Sequence, residues 1–126
     1  MNGFSSDIVS ILRSHALTTP RESIGLVYDK ELYDELVSRG LVVARRHDKL
    51  CRYDYIVIDR GHLSVSRLLT ALTNLRICGI IVIDVTGKEE KYQGKYVNIA
   101  KGMRGTKVIY GDRTYIVLHV GKDYGN

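Results

Sequence analysis

The 126-residue chain is long enough for one domain with its own core, and we expect residues 1–126 to form that single domain. Its composition, 44% hydrophobic and 26% charged with one proline, excludes a disordered chain, and no apolar run reaches the ~20 residues that span a bilayer. The net charge of +5 favours negatively charged partners. Because the first residues lack the pattern of a secretory signal, we expect a cytoplasmic protein that does not bind a membrane.

The first half of the chain predicts two helices, each followed by a short strand. Ser6 is a candidate N-cap for a helix whose apolar residues recur at helical spacing. Residues 23–28 then form a short apolar run typical of a buried strand. Asp29 is a candidate N-cap for the second helix, Gly40 ends it, and residues 41–44 predict the second strand.

The central part predicts a parallel strand-helix-strand unit. Residues 55–59 and 80–85 are near-continuous runs of β-branched residues, as in strands buried on both faces. Between them, residues 64–76 predict a helix with one apolar stripe. The stripe consists of Val65, Leu68, Leu69, Leu72 and Leu75.

The last part predicts a charged surface segment over residues 88–95, a short helix over 96–103 and a hairpin. The hairpin strands are residues 107–110 and 114–120, with the turn Gly111-Asp112-Arg113 between them. The whole pattern predicts an α/β fold, with a Rossmann-like, mostly parallel sheet flanked by helices and a C-terminal antiparallel β-hairpin.

The two cysteines, Cys51 and Cys78, have no metal-ligand spacing with each other or with the four histidines. We therefore interpret both as buried, reduced thiols and expect no metal site. The chain also has no tryptophan and only one glutamine, while charged residues are abundant. This bias is a tendency of thermophile proteins.

The central unit resembles the second half of the class I S-adenosylmethionine-dependent methyltransferases. The resemblance lies in the run Tyr53-Asp54-Tyr55-Ile56-Val57-Ile58-Asp59, the leucine-rich helix, and the run Leu75-Arg76-Ile77-Cys78-Gly79 leading into the next strand. The closing hairpin looks like the antiparallel last two strands of that family, and residues 24–44 match its first strand, first helix and second strand in length. The resemblance implies a Rossmann-like fold and, if the protein is an enzyme, S-adenosylmethionine as cofactor.

The chain departs from the family where the cofactor would bind. The family has a glycine-rich turn after its first strand, whereas this chain has Tyr28 and Asp29, whose side chains should crowd the cofactor. An acidic residue that binds the ribose ends the family's second strand, and Arg45 or Arg46 stands in that place. Asp48 lies close by but beyond the strand. These departures favour a protein that uses no cofactor; otherwise Tyr28, Asp29 and Asp48 are the candidate cofactor-binding residues.

Asp59 and His62 are the candidate catalytic residues. They follow a parallel strand at the sheet's carboxyl edge, where open α/β folds bind ligands. A histidine beside a carboxylate can act as a general base. The interpretation that we favour is structural, with both residues capping the loop and the start of the next helix. Asp84, near the end of the next strand, could join them or accept hydrogen bonds from the backbone.

The tyrosines are either stacking surfaces for nucleobases or fillers of the core. Tyr53 and Tyr55 lie two residues apart, which predicts that they share one face of a strand. Tyr110 and Tyr115 flank the hairpin turn. Because the chain has one phenylalanine and no tryptophan, we favour packing in the core.

Basic residues gather in segments that should emerge at the carboxyl edge. These are Arg45, Arg46, Lys49, Arg52 and Arg60. Such a rim would attract the phosphates of a nucleic acid, although a solvated surface could carry the same residues.

The leading hypothesis is a small methyltransferase-like domain that is not catalytic and binds nucleic acid or a protein partner at the carboxyl edge of its sheet. The first alternative is an active S-adenosylmethionine-dependent methyltransferase with a reduced cofactor pocket. The second is a structural subunit of a larger assembly. A homo-oligomer is compatible with each of the three.

Overall fold

The computed structural model describes residues 3–15, 17, 23–46, 48, 52–87 and 104–120. Its helices are α1 (Gly3–Ser14), α2 (Lys30–Ser38) and α3 (Val65–Thr73), with a short 3₁₀ turn at Arg60–His62. Its strands are β1 (Ile24–Val27), β2 (Val42–Ala44), β3 (Tyr53–Ile58), β4 (Leu75–Asp84), β5 (Arg104–Tyr110) and β6 (Arg113–Val120). The predicted segments 88–95 and 96–103, with Lys49 and Cys51, lie outside the described residues.

The six strands form one sheet in the order β2-β1-β3-β4-β6-β5. β1, β2, β3 and β4 are parallel, and β6 is antiparallel to both β4 and β5. The predicted fold class is therefore confirmed, including the parallel pairing of the two central runs and the C-terminal hairpin. Between Ala44 and Tyr53, none of the described residues 45, 46, 48 and 52 belongs to a strand.

Each face of the sheet carries its own apolar core. On one face α1 and α2 pack through residues such as Ile8, Leu12 and Leu36 against Val57 and Val82. On the other face α3 packs through Leu68 against neighbours that include Ile58 and Ile83. Helices on both sides explain why β3 and β4 are apolar without alternation, because parallel strands in this setting are buried on both faces.

β4 begins earlier than predicted and contains a large bulge. The predicted helix over 64–76 ends at Thr73, where the Asn74 side-chain amide donates to the Thr70 carbonyl oxygen at 2.8 Å. Tyr53 pairs with Leu75, but Tyr55 pairs with Ile80, so β4 has three more residues than β3 over this stretch. Leu75 continued the apolar stripe of the helix in sequence, yet it lies in the sheet.

The bulge overturns two predictions. Cys78 is exposed in the bulge at φ 70°, and is not a buried thiol. Tyr53 and Tyr55 do not share a face, since Tyr53 packs with α3 and Tyr55 packs with α1 and α2. The register shift between the two residues breaks the alternation that the prediction assumed. Both tyrosines are fully buried, as the core interpretation requires.

The first helix begins at Gly3, so Ser6 lies inside it and is not its N-cap. The N-cap predicted for the second helix is confirmed, because the Asp29 carboxylate accepts a hydrogen bond from the Leu32 N–H at 2.9 Å. Among the described residues, no helix has both the length and the apolar character needed to cross a bilayer.

Candidate functional site at the carboxyl edge

The parallel strands place the predicted site residues at one edge of the sheet. Tyr28 follows β1, Arg45 follows β2, and Asp59 follows β3. In the order β2-β1-β3-β4, the segment after β1 lies between the segments after β2 and β3. The carboxyl edge therefore brings Tyr28 next to Asp59 and His62, and Arg45 lies on the β2 side of them.

Asp59 and His62 are in direct contact. His62 Nδ1 lies 2.8 Å from Asp59 Oδ2 and 2.9 Å from Oδ1, and the His62 backbone N–H donates to the Asp59 carbonyl oxygen at 3.0 Å. The Asp59 side chain makes no capping bond, and Ser64 caps α3 instead. The Asp59 carboxylate therefore contacts the imidazole ring of His62 and does not cap a helix by a side-chain hydrogen bond.

Tyr28 packs against His62 and against Arg67. The His62 ring is stacked at 25° with its centroid 6.0 Å away, and the Arg67 guanidinium lies 4.8 Å from the centre of the Tyr28 ring. Arg67 Nη1 also donates to the His62 carbonyl oxygen at 3.0 Å. Burial raises the pKa of the Tyr28 hydroxyl, while the Arg67 charge lowers it and Tyr53 raises it. We call Tyr28, His62 and Arg67 the platform.

Arg67 is a site residue that the sequence analysis did not nominate. It lies in the first turn of α3, where its charge opposes the positive end of the helix dipole. Because the helix dipole disfavours a positive charge at this position, we expect another interaction to offset that cost. Its contacts with Tyr28 and His62 are that interaction.

Asp29 and Asp48, the other two candidate cofactor-binding residues, have different local contacts, and their part in cofactor binding stays a prediction. Asp29 uses its carboxylate to cap α2. The Asp48 backbone N–H donates to the Tyr53 hydroxyl at 3.3 Å, and the Asp48 side chain is exposed.

The basic residues do not all lie at the carboxyl edge. Arg45 and Arg46 follow β2 and are exposed, and the Arg45 guanidinium lies 6.0 Å from the centre of the Tyr33 ring. Arg60 is exposed after β3, and its Nη1 donates to the Thr86 carbonyl oxygen at 3.4 Å. Arg52 is different: it precedes β3 and donates to the Thr73 carbonyl oxygen at the end of α3.

The predicted convergence of five basic residues is therefore wrong for Arg52. A residue that precedes a parallel strand lies at the amino edge, about one strand length from the residues that follow its neighbours. Lys49 lies outside the described residues. Arg45, Arg46 and Arg60 remain at the carboxyl edge, on both sides of the platform.

Asp84 belongs to a separate polar network. Its Oδ1 accepts from the Thr86 N–H at 3.0 Å and from the Thr86 hydroxyl at 2.6 Å, and its Oδ2 lies 3.6 Å from Arg113 Nη1. The Thr86 hydroxyl oxygen in turn accepts from the Thr114 N–H. Of the two interpretations of Asp84, the structure supports the one in which it satisfies donors of nearby loops.

Within the described part of the chain, no group of three or more His, Cys, Asp or Glu side chains is arranged to hold a metal ion. The groups that the described residues present at the carboxyl edge are planar or charged. The edge presents a histidine held by a carboxylate, a tyrosine stacked with it, and arginines on two sides.

The comparisons with known proteins identify the fold. No family model and no curated protein matches the chain. Among solved structures, it resembles a precorrin-6y C5,15-methyltransferase from Geobacter metallireducens, with a TM-score of 0.60 and 9% identity over 90% of this chain and 87% of the other. It also resembles a putative ribosomal RNA methyltransferase from Plasmodium falciparum, with a TM-score of 0.55 and 10% identity over 92% and 94% of the two chains.

A third similar structure is the 16S rRNA N2 G1207 methyltransferase of T. thermophilus in complex with AdoMet and guanosine. Its TM-score is 0.53 at 17% identity, and the match covers 86% of this chain but 38% of the other. The chain therefore has the Rossmann-like fold of the class I S-adenosylmethionine-dependent methyltransferases. At these identities the likeness describes the fold alone.

The residues at the carboxyl edge do not fit the cofactor of that fold. The turn after β1 has no glycine, and the Tyr28 ring at this place packs against His62 and Arg67. The glycine of this region, Gly25, lies within β1, where an added Cβ would be 2.1 Å from Tyr55 Cε1. Gly25 therefore makes room for a core tyrosine rather than for a ligand.

Proposed function

We propose that this domain binds nucleic acid at the carboxyl edge of its sheet and that it does not use the edge to bind S-adenosylmethionine. The observation on which the proposal rests is the platform at the position after β1, with exposed arginines on both sides of it. The platform residues present aromatic and guanidinium planes, and the arginines beside them add positive charge. Planar and basic surfaces suit nucleic acids, since they offer stacking for bases and charge for phosphates.

The charge of the chain supports this proposal over a protein partner. The net charge is +5, and Arg45, Arg46 and Arg60 are exposed without a carboxylate among the ion pairs of the described residues. Arginines that contact phosphates release the counterions condensed on the nucleic acid, which favours binding. Two of the similar structures are named as ribosomal RNA methyltransferases, so proteins with this fold do act on nucleic acid.

Salt dependence of binding tests the proposal. Each phosphate contact contributes about 0.7 to the log-log slope for a single strand and about 0.9 for a duplex. The double variant Arg45→Ala/Arg46→Ala should therefore lower the slope by about 1.4 to 1.8 in fluorescence anisotropy between 50 and 200 mM salt. Both residues are exposed loop residues, so the fold should persist.

The matched control removes the same charge from the opposite edge. Arg52 and Arg76 are both exposed, and both lie near the amino ends of strands. The double variant Arg52→Ala/Arg76→Ala should leave the slope unchanged. Equal slopes for both double variants would mean that binding is a property of net charge and would refute a site at the carboxyl edge.

The second candidate function is the enzyme, and the Asp59–His62 pair favours it. With Nδ1 held by the carboxylate, the ring can accept a proton at Nε2, as a general base requires. The two candidates differ in whether the cofactor binds at all. Thermal unfolding with and without S-adenosylmethionine separates them.

A further inference from the structure

The groups of the platform are held by contacts within the protein. Asp59 fixes the His62 ring through Nδ1, and Arg67 fixes the His62 backbone through its carbonyl oxygen. Arg67 also stacks on Tyr28. A site whose planar groups are held by their own contacts loses little conformational entropy when a ligand binds.

The His62 side chain is partly exposed. It is 40% exposed, whereas the Asp59 side chain behind it is 13% exposed. Nδ1 is occupied by Asp59, and no described residue hydrogen-bonds to Nε2. The outer part of an oriented aromatic ring therefore faces solvent beside a guanidinium and a tyrosine. Aromatic and guanidinium planes are the surfaces on which proteins stack unpaired bases.

The arginines bracket the platform at a spacing that suits a strand running across it. Arg45 and Arg46 follow β2, Arg60 follows β3, and β1 lies between these two strands. Two inter-strand spacings separate the ends of β2 and β3 by about 10 Å. A single strand that crosses the edge can thus place phosphates near both groups of arginines and a base at His62, which follows β3 beside Arg60.

We propose that the platform stacks one unpaired nucleobase of a bound single strand, with His62 as the contacting ring. The proposal rests on the proposed function, because the arginines must hold the phosphates. It adds a ligand class, since a base that remains paired inside a duplex does not expose its face to a protein ring. The ligands of this edge are therefore single strands and unpaired loops.

The test compares two fluorescein-labelled strands of equal length and charge. One is a 12-nucleotide oligoadenylate, and the other is the same sugar-phosphate chain without bases. Stacking on an aromatic side chain strengthens binding by between about fivefold and 150-fold per base. The oligoadenylate should bind the wild-type protein at least about fivefold more tightly than the abasic strand.

Variants at His62 assign this preference to the ring. His62→Ala should abolish the preference for bases, while His62→Phe, which keeps a planar ring, should retain it. His62 lies in a short 3₁₀ turn outside both cores, so neither variant should unfold the protein. Arg45→Ala/Arg46→Ala should weaken both strands equally and keep the preference, because those residues contact phosphates.

The outcomes distinguish the inference from the function on which it rests. If the two strands bind equally and with a steep salt dependence, the stacking inference is wrong and the proposed function stands. If neither strand binds at 50 mM salt, both are wrong. Competition with adenosine 5′-monophosphate tells whether the site takes a base of a strand or a free nucleotide. Displacement at a concentration near the strand's own dissociation constant would mean that the site takes a free nucleotide, and would overturn the single-strand assignment.

Discussion

Two carboxylates at the carboxyl edge, Asp59 and Asp84, follow or end neighbouring parallel strands and are built into opposite kinds of cluster. Asp84 is 4% exposed and binds Thr86 and Arg113, which tie the end of β4 to the start of β6, about 28 residues away in sequence. Among the described residues, the Asp59 carboxylate contacts His62, three positions further on. The Asp84 cluster joins distant segments, and the Asp59 cluster orders a single loop.

We expect the Asp84 cluster to contribute more to the stability of the fold than the Asp59 cluster. A buried carboxylate whose bonds join two strands stabilises the fold, and its loss leaves buried donors without acceptors. A pair within one loop joins no distant segments, so we expect it to contribute less to stability. Under the proposed function, this pair orients the His62 ring.

Removal of the Asp84 side chain should have the largest effect. Asp84→Ala leaves the Thr86 N–H and hydroxyl and the Arg113 guanidinium without their acceptor, and should lower the free energy of unfolding by about 3 kcal/mol. The matched variant Asp59→Ala should lower it by less than about 1 kcal/mol. Urea denaturation of both variants checks the difference, and equal losses would remove the distinction between the two clusters.

Removal of the Tyr115 hydroxyl should have a smaller effect on stability than removal of the Asp84 side chain. It donates to Asp7 Oδ2 at 2.8 Å and so ties α1 to β6, and burial with this hydrogen bond raises its pKa. Tyr115→Phe should therefore cost about 1 kcal/mol of unfolding free energy.

The control is another fully buried tyrosine. The Tyr55 hydroxyl has no hydrogen-bond partner among the described residues, so Tyr55→Phe should leave stability unchanged or raise it. A loss of about 1 kcal/mol in Tyr55→Phe, as large as in Tyr115→Phe, would show that ring packing rather than the bond to Asp7 accounts for the effect.

The sequence was sufficient to predict the fold because its signals were strong. The β-branched runs of β3 and β4 and the turn at Gly111 are read from composition and periodicity alone. The start of β4 was missed because Leu75 continues the leucine stripe of α3. The faces of Tyr53 and Tyr55 were wrong because they were assigned from strict alternation along β3. Only the register of two paired strands reveals three extra residues.

The site was predictable to the extent that it depends on strand order. Residues that follow parallel strands reach one edge, and this placed Asp59, His62, Arg45, Arg46 and Arg60 at the carboxyl edge. Arg52 was misplaced because the same segment of sequence follows one strand and precedes the next, and the two ends of that segment lie at opposite edges. Arg67 was missed because its contact with Tyr28 depends on the rotation of α3, which periodicity does not fix relative to the sheet.

In the proposed function, the platform occupies the cofactor position and the edge binds nucleic acid. Thermal unfolding with S-adenosylmethionine at 1 mM tests this proposal. We expect no change in the unfolding midpoint, because the Tyr28 ring and its contacts fill the place after β1. A ligand present at about 100 times its dissociation constant would add about 2.7 kcal/mol to the stability of the protein. A rise in the midpoint of that size would contradict the account and favour the enzyme, with Asp59 and His62 as its first residues to test.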